Sequence, residues 1–143
     1  MQEWPLRSYL ELRARPASVR SARLHARTIL AEWHLAAFAD TVELLVSEIT
    51  TNAVRASASS VRRPPGKGTA ARALPVRFWL TSDRRNVLIQ VWDGDHRQPL
   101  PQNPGPDAEC GRGLLLVETL STQWGCYTPD GQDGKIVWAL CAR

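Results

Sequence analysis

Glu48 and Asn52 stand four residues apart in the stretch Ser47-Glu48-Ile49-Thr50-Thr51-Asn52-Ala53. On a helix that spacing sends both side chains from one face, a turn apart. An asparagine oxygen can join phosphate oxygens and water around a hard cation such as Mg²⁺. A glutamate beside it can orient or deprotonate an attacking hydroxyl. Arg55, three residues on, extends the polar face toward phosphate oxygens. A solvated helix face would carry the same residues, so the spacing alone decides nothing.

Two other places invite a ligand. Gly111-Arg112-Gly113 precedes the apolar run Leu114-Leu115-Leu116-Val117. Paired glycines let backbone N–H groups approach an anion, and a helix N-terminus favours phosphate. No Gly-Lys-Ser/Thr follows, so this is not a P-loop. A dinucleotide fingerprint needs a third glycine and a βαβ setting, and both are missing. Asp93 closes the apolar strand Val87–Trp92 ahead of Gly94. A carboxylate there can accept a hydrogen bond from an adenine amino group, or it can simply end the strand in a turn.

The elements that must hold these residues follow from periodicity. Tyr9–Arg13 alternates as a half-exposed strand. After Pro16, apolar residues at 19, 22, 26, 29, 30 and 33 predict a helix, with Ser18 as its N-cap and Arg20, Arg23 and Arg27 on a solvated face. A second helix starts near Asp40, where Asp40 and Glu43 have capping-box spacing, and its stripe is Val42, Leu45, Val46, Ile49, Ala53 and Ala56. Helical propensity gives out at Ser57–Ser60, and residues 57–74 read as a flexible loop rich in Arg, Pro, Gly and Ala. Val76–Leu80 and Val87–Trp92 are strands joined by Ser82–Asn86. A proline-rich stretch from Gly94 to Cys110 precedes a short helix at Leu114–Leu120. Trp124–Tyr127 and Lys135–Leu140 close the chain as strands around Pro129-Asp130-Gly131. The order predicts an α/β two-layer sandwich with a mostly antiparallel sheet.

Composition narrows the class. The 143 residues suit one domain, and 43% apolar with 22% charged residues is ordinary for a globular protein. No apolar run nears the roughly 18 residues of a membrane span. The start Met1-Gln2-Glu3-Trp4-Pro5 does not resemble a signal peptide. Cys110, Cys126 and Cys141 lack metal-ligand spacing and read as free thiols in a reducing cytoplasm. The formal charge of +4 comes from scattered arginines, with Lys67 and Lys135 the only lysines. Without a concentrated basic stripe, nucleic acid ranks last among expected partners.

Taken in order, these motifs resemble the GHKL (histidine kinase, gyrase, heat-shock chaperone-like) ATPase superfamily, in the form of the bacterial anti-sigma-factor serine/threonine kinases. Ser47–Ala53 is similar to the N box, Val91-Trp92-Asp93-Gly94-Asp95 to the first glycine box, and Gly111–Val117 to the second. Gly134-Lys135-Ile136-Val137-Trp138 is similar to the closing strand. The resemblance implies a Bergerat-type sandwich that binds ATP and Mg²⁺ under a lid at about 94–110. It implies Asn52 for the cation, Asp93 for the adenine amino group, and Gly111 and Gly113 at the phosphates beside Arg55 and Arg112. Glu48 would be the general base toward a protein hydroxyl. Partners implied are a sigma factor and an antagonist protein, with a homodimer expected and no membrane. Asp95 and Arg97 replace the glycines of the first box, and Ile136 stands where many relatives have an adenine-holding threonine. The adenine end is therefore where this chain should differ. A non-catalytic partner-binding module is the competing expectation.

Overall fold

Apolar residues at every second position build five strands, each with one face turned to the core. In the strand Val76–Ser82 (β2), Val76, Phe78, Leu80 and Ser82 are buried, and in Asn86–Asp93 (β3) Val87, Ile89, Val91 and Asp93 are. The computed structural model describes residues 4–59, 74–95, 115–129, 131 and 133–142. Its other strands are Leu6–Leu12 (β1), Gln123–Tyr127 (β4) and Lys135–Ala142 (β5). They form one antiparallel sheet in the order β1-β2-β3-β5-β4. The α-helices of the described residues are Ala17–Glu32 (α1), Ala39–Ser59 (α2) and Leu115–Leu120 (α3). The two-layer α/β sandwich expected from the element order is the observed fold.

The core lies between sheet and helices. Ala22, Ala26 and Leu30 of α1 and Val42, Leu45, Val46, Ile49, Ala53 and Val54 of α2 are buried against Phe78, Leu80, Ile89 and Val91. Arg27 of α1 pairs with Glu43 of α2 and lies 3.6 Å from Asp40, a surface latch between the helices. The far side of the sheet carries Trp79, Trp92 and Trp138, partly covered by their neighbours. Tyr9 lies 5.3 Å from Trp79 and the Arg77 guanidinium sits 4.8 Å above Trp92.

Helix ends depart from the local expectations. Pro16, not Ser18, is the N-cap of α1; Ser18 is a buried helical residue facing the core. Asp40 and Glu43 do not form a capping box. A 3-10 turn at Ala36–Phe38 runs straight into α2, so Asp40 sits in its first turn, where a negative charge suits the helix dipole. Glu43 is drawn off to Arg27. At the other end α2 continues to Ser59, and Ser57 donates to the Leu74 carbonyl at 2.5 Å. Helix α1 ends in a Schellman motif, with Leu35 N–H on Leu30 O at 2.8 Å and His34 N–H on Ala31 O at 3.1 Å. His34 takes the left-handed position at φ 59°.

The thiols are not all free. Cys126 is disulfide-bonded to a partner outside the described residues, whereas Cys141 is a buried free thiol whose pKa burial pushes up to about 11. Free thiols throughout is thus corrected at Cys126. No described helix is long and apolar enough to cross a membrane.

His25 couples the core to pH. It joins α1 to β1 through a 2.6 Å hydrogen bond with Ser8 and meets Phe78 edge-on at 6.1 Å. Burial pushes its pKa below 6.5, with Glu32 opposing weakly. A depressed value means that the fold favours neutral His25. Its contribution is complete above 6.5 and is lost as pH falls through the lowered value. Thermal unfolding of wild type should therefore drop more between pH 7 and pH 5 than that of His25→Gln.

Candidate functional site

Asp93 is the last residue of β3 and is 1% exposed, although it is charged. Strand parity explains its burial: it follows Val87, Ile89 and Val91 on the helix side of the sheet. Its cross-strand partner is Lys135, which shares that side with Val137, Ala139 and Cys141 of β5. Lys135 Nζ lies 3.0 Å from Asp93 Oδ1, and the Asp95 N–H donates to the same oxygen at 3.1 Å. Burial raises the Asp93 pKa most, the nearby Asp95 charge adds to it, and Lys135 with the Asp95 N–H works against it. Both hydrogen bonds end on Oδ1, which leaves Oδ2 to accept from a ligand.

Helix α2 lies over β3 on the same side. Its C-terminal end is tied to the Asp93 end of the sheet through Leu74. Leu74 accepts from Ser57, and its side chain fills the space that a Cβ on Gly94 would need. Asn52 stands five residues before Ser57, about 8 Å along the helix axis. Its Nδ2 is buried with no hydrogen-bond partner among the described residues. Such orphaned donors are rare in folded proteins and call for a partner beyond the described residues. Glu48, one turn earlier, is half-buried, and Arg55 is exposed.

Asp93 and Lys135 therefore lie on the side of the sheet that α2, the helix of Glu48 and Asn52, covers. Gly111, Arg112 and Gly113 lie outside the described residues, as does most of the stretch expected to be a lid. Lys135, which the sequence reading did not single out, is the residue that pairs with Asp93. Ile136 faces the opposite side of the sheet, paired with Trp92, so it cannot take the threonine's part beside Asp93. The signal was in the sequence: counting back by twos from Val137 puts Lys135 on the core side.

The donor set suits a ligand rich in oxygen. Among the described residues no cluster of three or more His, Cys, Asp or Glu could hold a metal by itself. A cation here would need oxygens of its ligand, as Mg²⁺ takes from phosphates. A cavity of about 300 Å³ near Phe38, Leu120 and Cys141 lies toward the far end of β5 and is separate from this site.

An antiparallel sheet packed against helices thus carries a buried carboxylate at a strand end and, on the overlying helix, an asparagine Nδ2 with no partner among the described residues. Residues 12–140 match the histidine kinase-like ATPase domain family, and the chain belongs to it. It is an ATP-binding domain. No curated protein matches the chain.

Proposed function

We propose that this protein is a regulatory serine/threonine kinase of the anti-sigma-factor type, which binds a sigma factor and phosphorylates an antagonist protein. The observation that carries this reading is the pairing on α2 of Glu48 with Asn52, whose buried Nδ2 has no hydrogen-bond partner among the described residues. Asn52 would hold Mg²⁺ with the phosphates, and Asp93 Oδ2 would accept from the base amino group. Gly111, Arg112, Gly113 and Arg55 are the proposed phosphate contacts. Bound Mg·ATP supplies a phosphoryl group whose transfer depends on positioning and charge neutralisation. Glu48 would take the proton from the attacking serine or threonine hydroxyl.

The test uses labelled Mg·ATP and a candidate antagonist protein. Glu48→Ala should cut transfer by about 10² to 10⁴-fold while leaving ATP affinity within a few-fold of wild type. Equal transfer by both proteins would end the kinase reading.

One observation favours a second reading, a partner-binding module that works without chemistry. Lys135 already pairs with Asp93 Oδ1 in the chain itself, so the carboxylate has a counter-ion without a base. Partner binding that ignores nucleotide, with no melting shift in Mg·ATP, would support it.

A further inference from the structure

We propose that Lys135 sets base recognition at this site and, beside Asp93, admits guanine as well as adenine nucleotides. The proposal rests on the nucleotide-binding reading of the site and goes beyond it in naming the substrate class. A lone carboxylate can only accept hydrogen bonds. It therefore selects a base edge that offers a donor, such as the adenine amino group, and repels the carbonyl oxygen that guanine carries at the same ring position. Asp93 is not alone. Lys135 Nζ sits 3.0 Å from Oδ1 on the same face of the sheet, and both known hydrogen bonds of the carboxylate end on that oxygen. The pair presents an acceptor, Oδ2, next to a donor with three rotatable N–H groups.

Adenine offers the complementary pattern of amino donor and ring-nitrogen acceptor. Guanine offers carbonyl acceptor and ring N–H donor, the same two functions in reverse order. A flexible ammonium group can follow either order, because its stem moves while Asp93 stays fixed on β3. Lys135 is 27% exposed at its side chain against 2% for Asp93, so it is the partner with room to move. Ile136 cannot contribute, since it faces the other side of the sheet.

The experiment measures Mg·ATP and Mg·GTP affinity by calorimetry for wild type, Lys135→Thr and Lys135→Met. Wild type should bind the two nucleotides within about tenfold of each other. Each variant should lose GTP by about 100-fold or more, the order expected when a buried polar match is removed, and lose ATP by at least about tenfold less, because Asp93 still accepts from the adenine amino group. Wild type needs no substitution, so a poorly folding variant does not block the comparison. Wild type that binds ATP but takes GTP more than 100-fold more weakly would overturn the proposal. A GTP-to-ATP ratio unchanged in both variants would also do so, leaving Lys135 as a structural counter-ion. If neither nucleotide binds wild type, the nucleotide-binding reading itself fails, a result distinct from the other two.

Discussion

Asp93→Ala is expected to lower Mg·ATP affinity by about 100-fold, the scale of a lost charge-assisted hydrogen bond in a desolvated site. The carboxylate is 1% exposed, and its Oδ2 accepts nothing from the described chain, so a ligand donor there would have no substitute. The fold itself should tolerate the change. Burial already works against the ionised carboxylate, and removing it ends that cost while Lys135 can turn to water. A calorimetric titration paired with a thermal melt separates the two effects. Large loss of affinity with a small melting shift is the expected pair, and an unchanged affinity would remove Asp93 from the site.

Gly134→Ala should be the costlier change for stability. Gly134 sits at φ +90° immediately before β5, a conformation that L side chains rarely adopt. A Cβ there would collide with the backbone carbonyl of Asp93 and reach 2.8 Å from Trp92 Nε1. Backbone cannot swing aside as a side chain can, so strain and collision add. We expect a loss of about 2 to 4 kcal/mol, or roughly 10 °C in Tm. Gly131 provides the internal control. It also has positive φ, +69°, but a Cβ would meet nothing within 4 Å. Gly131→Ala should therefore cost only the backbone strain, of order 1 kcal/mol. Equal melting losses for both variants would show that the contact with Asp93 does not matter. Because Gly134 adjoins Lys135, its variant should also weaken nucleotide binding.

Periodicity made most of the fold legible. The α2 stripe from Val42 to Ala53 and the alternation in β2 and β3 each require one buried face, and they left little choice about layering. Caps were less legible, because tertiary partners competed with local ones. Glu43 has the right spacing to fold back on its own helix, yet Arg27 of the neighbouring helix claims it, and no local rule contains that arginine. Ser18 has cap chemistry, but Pro16 starts the helix earlier and turns Ser18 inward. Cysteine count alone could not reveal the bond at Cys126.

At the site, motif order singled out Asn52, whose Nδ2 has no partner among the described residues, and Asp93, a buried carboxylate at a strand end. At β5 it singled out Ile136, whereas strand pairing sets Lys135 opposite Asp93 and Ile136 opposite Trp92. A lysine next to an acid on adjoining strands is visible only once register is known. The residue paired with Asp93 across the strands is Lys135. Asp95, expected to disturb that end, donates its backbone N–H to Asp93, while its charge pushes the Asp93 pKa upward. The glycine turn at 111–113 lies outside the described residues and rests on sequence alone.

The Asn52 Nδ2, without a partner among the described residues, bears most directly on the claim that this chain binds Mg·ATP. The decisive measurement is calorimetric titration of Mg·ATP into wild type and Asn52→Ala. The account predicts saturable one-to-one binding to wild type that is lost in the variant, with both proteins folded by circular dichroism. Heat of dilution alone with wild type, or the same affinity in both proteins, would contradict it.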